Sequence, residues 1–118
     1  MPLDERDEMR LKDMLAFSRD AIALLGTMNS EEMEANLAVK LALTRCIEIV
    51  GEAGHHVSPA TQAVMSTIPW HMMYGMRNRL IHDYGNTDYD MVFKVVHEEL
   101  PGLLANITAF LAQQGHTP

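Results

Sequence analysis

The sequence predicts an all-α protein, an antiparallel four-helix bundle with one short extra helix. Three observations predict it. Apolar residues recur at helical spacing in four stretches, no stretch alternates with the period of two that a half-buried strand needs, and the breaks are short and built from Gly, Pro, Asn, Ser and Thr. The 118 residues are read as one domain, 1–118, long enough to bury a core.

The first segment runs from about Asp4 to Leu25. Leu11, Met14, Leu15, Ile22 and Leu25, completed by Ser18 and Ala21, form the stripe of an amphipathic helix. Acidic residues crowd its first turn, where the helix dipole favours them. The second segment starts at Ser30, read as an N-cap, and reaches about Ala53, with Gly54 as a stop signal. From Leu37 to Val50 it is apolar almost all round, which predicts a central helix buried on several sides. Arg45, Glu48 and Glu52 make one narrow polar stripe on it, either a solvated strip of ion pairs or a lining that faces a site.

Ser58-Pro59-Ala60 marks the cap and first turn of the short extra helix, since Pro suits the first helical position. The third segment runs from about Trp70 to Asp83, with Gly85 as the expected C-terminal cap. On it His71, Gly75, Asn78 and His82 share one face, and Met73, Met76 and Leu80 share another. Gly75 in a helix interior costs roughly 1 kcal/mol relative to Ala, so it is read as room for a backbone or ligand to approach. The fourth segment runs from Asp88 to about Gln113, with Val92, Val96, Leu100, Leu103, Ile107 and Leu111 facing inward. Pro101 interrupts it and predicts a kink or a two-piece helix.

Composition limits what the chain can do. Ten methionines suit a core of irregular gaps, or a Met-lined partner surface. Cys46 is the only cysteine, so no intrachain disulfide forms, and its apolar surroundings predict a buried thiol in a reducing, cytoplasmic setting. The N-terminus is charged from the fourth residue and does not read as a signal peptide. No run of about 18 apolar residues is present to span a membrane. The formal net charge of −7 excludes a broad phosphate-binding surface. Any nucleic-acid chemistry must be confined to a local basic site.

The end of the third segment offers such a site. Arg77 and His82 stand about 140° apart on a regular helix, so one helix does not place them side by side. Tightening of the last turn could bring them together, or a two-fold axis could set the same helix of a second subunit opposite. Cleaving RNA without metal needs a base near neutral pH and a cation for the charge that develops on phosphorus. Histidine supplies the first and the arginine fork the second. Asn78 can position phosphate or the histidine ring through its amide. His55-His56 with His71 and Glu52 offer a weak set of metal ligands, because the Glu/His repeats of carboxylate-bridged bundles are absent. Neither metal nor cofactor is expected.

Arg77-Asn78-Arg79-Leu80-Ile81-His82-Asp83-Tyr84 resembles the Arg-x4-His-x-Tyr motif of HEPN-domain toxins, in their HepT-like branch. Ile47-Glu48-Ile49-Val50-Gly51-Glu52-Ala53 is similar to that family's second-helix signature, and Ile68-Pro69-Trp70, Gly75-Met76 and Asp88 to Pro101 also match. The resemblance spans about Leu11 to Leu104. It implies a homodimeric HEPN-like bundle, the toxin of a type VII-like toxin–antitoxin pair. It further implies a metal-independent endoribonuclease with catalytic Arg77 and His82 in a cleft between subunits, supported by Asn78 and Arg79. The implied partner is a minimal nucleotidyltransferase antitoxin that can transfer AMP onto Tyr84. The alternative reading is a non-catalytic helical module that supports or regulates such a nucleotidyltransferase.

Overall fold

Asp4 opens the first helix by accepting a hydrogen bond from the Arg6 amide at 2.7 Å. The computed structural model describes residues 3–115 and gives α1 (Glu5–Leu25), α2 (Ser30–Glu34), α3 (Leu37–His55), α4 (Pro59–Val64), α5 (Trp70–His82), α6 (Tyr89–Lys94) and α7 (Leu100–Gln113). No strand occurs among the described residues. The protein is an all-α bundle, as the periodicity predicts. α1 packs on α3 and α7, and α5 leans on α3. Leu11, Met14, Leu15, Leu43, Ile47, Val92, Val96, Ile107 and Leu111 form the centre of a connected apolar core. Most of the methionines go to this core: Met14, Met33, Met65 and Met73 are buried, and Met28, Met76 and Met91 pack against it.

The second segment differs from the expectation. Asn29, not Ser30, is the cap, in a reciprocal capping box with Glu32 at 2.9 and 3.1 Å. Asn36 then restarts the chain by accepting from the Val39 amide at 3.1 Å, so α2 and α3 are separate helices. Gly54 does not end α3, which continues to His55. A β-carbon at Gly54 would meet Met14, Met73 and Trp70 at 3.3, 3.5 and 3.6 Å. Gly54 therefore serves packing and not chain termination.

Pro101 leaves its mark in the turn before it. Proline lacks an amide hydrogen, and its ring crowds the carbonyl four residues back. A π-helical turn, Val95–Glu99, lies just ahead of it, and there Leu100 donates to the Val95 carbonyl five residues back. Helical backbone runs without interruption from Tyr89 to Gln113, and its irregular turn precedes the proline.

Short polar links fix α4 against its neighbours. Asp7 is 3% exposed and accepts from the Ser58 amide at 2.9 Å, the Ser58 hydroxyl at 2.6 Å and the Thr61 hydroxyl at 2.6 Å. Burial pushes its carboxyl up, and these hydrogen bonds more than offset that, so its pKa lies below the ordinary 3.8. Trp70 donates its indole N–H to the Gln62 and Met65 carbonyls, both at 3.2 Å, which ties the start of α5 to α4.

Candidate active site

α5 turns its Met73 and Leu80 into the core, as the sequence pattern predicts, and leaves His71, Gly75 and His82 exposed. Within the chain the close approach occurs at Gly51. A β-carbon on Gly51 would lie 2.6 Å from the Arg77 β-carbon and 2.9 Å from the Met73 carbonyl oxygen. A β-carbon on Gly75 would meet nothing within 4 Å. The bare backbone of Gly51 lets α5 settle on α3, and the first carbons of Arg77 fill the contact.

From that anchor the Arg77 guanidinium reaches a polar network. Its Nη2 pairs with Glu52 Oε2 at 2.9 Å, and its Nη1 donates to Asn78 Oδ1 at 2.8 Å. Glu52 in turn bonds the His56 ring at 2.9 Å. The His56 bond holds the Glu52 carboxyl below its ordinary 4.5; partial burial opposes this, and the charges of Arg77, His56 and His55 add to the lowering. Tyr74 completes the group. Its ring lies 5.5 Å from the Arg77 guanidinium carbon and carries the His55 ring flat against it, with centroids 3.7 Å apart and planes at 9°.

The polar stripe on α3 therefore divides. Arg45 and Glu48 pair with each other at 3.2 Å, whereas Glu52 turns to Arg77. The sequence offers His55 and His56 only as metal ligands with Glu52; their shared face beside Arg77 is hidden because Gly54 reads as a helix stop, and Tyr74 carries no motif. With α3 extended by two residues, Glu52 and His56 sit one turn apart on the same face.

His82 is the last residue of α5 and is exposed. The helix stays regular through it, so tightening does not bring it to Arg77. No hydrogen bond, ion pair or ring contact joins the two among the described residues. The chain tightens later, in a 3₁₀ turn at Tyr84–Asn86. Tyr84, not Gly85, follows the helix in the left-handed region, with φ 37°. That conformation is uncommon for a bulky side chain. It leaves Tyr84 83% exposed beside the end of the motif.

Arg79 points elsewhere. It lines a groove of about 710 Å³ floored by Ile47, Val50 and Gly51 and walled by α5 on one side and the π turn and α7 on the other. Cys46 is buried as expected, and burial together with the nearby Asp20 charge pushes its thiol pKa up. No helix among the described residues is long and apolar enough to cross a membrane.

Comparison with known proteins fits this geometry. A family model described as ribonuclease HepT-like matches residues 11–110. A Methanocaldococcus jannaschii protein named as a candidate RNase is 33% identical over 91 residues, covering 77% of this chain and 84% of its own. A second from the same organism is 35% identical over 91 residues, covering 77% of this chain and 78% of its own. A Thermococcus cleftensis protein named as a candidate HepT ribonuclease is 31% identical over 96 residues, covering 78% and 87%. No solved structure shows a significant match. The match over nearly the whole chain, across the helices that build the Arg77 network, places this protein in the HepT-like ribonuclease family.

Proposed function

We propose that the protein is an endoribonuclease toxin that cuts RNA without a metal ion, with Arg77 and His82 as its catalytic residues. The observation that carries this reading is that one helix holds a seated arginine and an exposed histidine. Arg77 is half-buried and held by Glu52 and Asn78, while His82 is exposed at the helix end. His82 takes the proton of a ribose 2′-hydroxyl, and the 2′-oxygen attacks the adjacent phosphorus. The P–O5′ bond breaks, leaving a 2′,3′-cyclic phosphate and a 5′-hydroxyl. Arg77 stabilises the extra negative charge on the phosphorane oxygens. Two copies of α5 across a two-fold axis bring a second His82, which protonates the departing 5′-oxygen. Asn78 holds the guanidinium, and Arg79, which opens on the groove at the other flank of α5, supports only RNA that continues past the scissile phosphate.

Tyr84 is the proposed acceptor of AMP from a minimal nucleotidyltransferase antitoxin. Its exposure and its place two residues from His82 support this. A phosphodiester there puts bulk and negative charge where substrate phosphate must sit. The protein in EDTA should leave cyclic phosphate ends on RNA, and His82→Ala should fold but neither cut RNA nor arrest growth. Full toxicity of that variant would sink the mechanism.

The net charge of −7 favours a second reading, a helical module that binds and regulates a nucleotidyltransferase without cutting RNA. A stable complex with the neighbouring gene's product, with no cleavage by the protein alone, would select it.

A further inference from the structure

The flat stack of His55 on Tyr74 takes no part in the chemistry just described, yet it adjoins the arginine on which that chemistry depends. We infer that these two rings form a stacking subsite for one unpaired RNA base next to the scissile phosphate; this rests on the reading of the chain as an RNase.

The geometry supplies the two things a nucleotide needs. A base needs an open aromatic face, and its phosphate needs a cation close by. His55 ends α3, is exposed, and lies parallel to Tyr74 with centroids 3.7 Å apart. Its ring nitrogens make no hydrogen bond to another described residue. Tyr74 backs it from α5, and the Arg77 guanidinium carbon is 5.5 Å from that same Tyr74 ring. A base laid on the outer face of His55, beside the His56 ring that meets it edge-on with centroids 5.5 Å apart, extends the existing stack, and the RNA strand leading from it can run toward Arg77. The adjoining Glu52 carboxylate is paired with Arg77, which offsets its charge toward an approaching phosphate.

Charge argues for the same ligand. A duplex is held by rows of cations, which a chain of net charge −7 lacks. Stacking needs no such row and tolerates any base, because each has a π face. The subsite therefore fits an unpaired or splayed-out nucleotide of single-stranded RNA, with little preference for base identity. None of these side chains lines the apolar groove on the other side of α5, so the two surfaces are separate.

The test uses the full-length protein and a short single-stranded RNA carrying 2-aminopurine, with 2′-O-methyl sugars at every position so that no 2′-hydroxyl is left to attack. Stacking quenches the fluorophore. His55→Ala should weaken the quenched complex about 5- to 100-fold, the range of a lost base–aromatic stack. With a cleavable RNA it should raise KM by a similar factor and leave kcat nearly unchanged. His55→Phe should restore both, since a phenyl ring stacks as imidazole does. His55 is exposed, so these variants do not depend on core packing. A wild-type protein that cleaves, with quenching and KM unmoved in His55→Ala, would overturn the subsite and leave the RNase reading standing. A wild-type protein that quenches through His55 but never cleaves would overturn the RNase reading and leave a nucleotide-binding site.

Discussion

Arg77 on α5 and Glu52 on α3 face each other at 2.9 Å, and each is held by a second partner, Asn78 for the arginine and His56 for the carboxylate. The motif arginine is thus aimed by a residue outside the motif. Glu52→Gln should lower kcat/KM about two- to fivefold, the loss of one partly exposed ion pair worth up to about 1 kcal/mol. Because the pair is partly exposed, the melting temperature should move little. A rise in activity would instead mean that Glu52 competes with substrate for Arg77. The pH dependence follows from sign. The native carboxyl titrates below 4.5, so the link is complete above that value and is lost as pH falls through the lower native value. Carbon-detected NMR titration of Glu52 reads this directly.

Gly51→Ala should be destabilising by roughly 1–3 kcal/mol, because the added methyl meets the Arg77 β-carbon and a backbone oxygen that cannot swing away. The melting temperature should fall by several degrees, and cleavage should fall with it as α5 is pushed outward. Gly75→Ala is the control. Its β-carbon meets nothing, so it should gain about 0.5–1 kcal/mol from helix propensity.

Asp7→Asn should cost about 1.5–3 kcal/mol at neutral pH, through hydrogen bonds to a charged acceptor that the amide cannot fully replace. The wild-type contribution is complete above 3.8 and disappears as pH drops through the still lower native value. Urea midpoints measured from about pH 5 down to about pH 2 should therefore fall more steeply for wild type than for the variant.

Ser18 is fully buried in α1, and its hydroxyl finds no partner among the described residues. Ser18→Ala should raise stability by about 1 kcal/mol, from relief of an unsatisfied hydroxyl and better helix propensity. Unchanged or lower denaturant midpoints would show that the hydroxyl is satisfied in solution.

Helix type and facing were legible wherever apolar periodicity was strong. The inward residues of α1 and of the Tyr89–Gln113 stretch are those that the spacing names, and Cys46 is buried as its apolar run predicts. Glycine was the weak signal, because one residue type has several uses. Gly54 reads as a stop and is a packing contact; Gly75 reads as room for a backbone or ligand and is open within the chain; Gly85 reads as a cap, yet Tyr84 takes the left-handed turn. The Arg77–Glu52 pair spans two helices, so no local spacing shows it. Asp7 illustrates the same limit. A first-turn acid reads as a dipole partner for its own helix, but its bonds are to Ser58 and Thr61.

The one-sided seat of α5 bears on how the protein fails. That helix has α3 as its main neighbour, and the groove separates its other flank from α7. α1 packs on α3 and α7 through contacts of its own. Opening should therefore proceed in two steps of different free energy, with α5 amides exchanging with solvent before those of α1 and α3. Heat or mild denaturant would then silence the motif while most of the protein is still native.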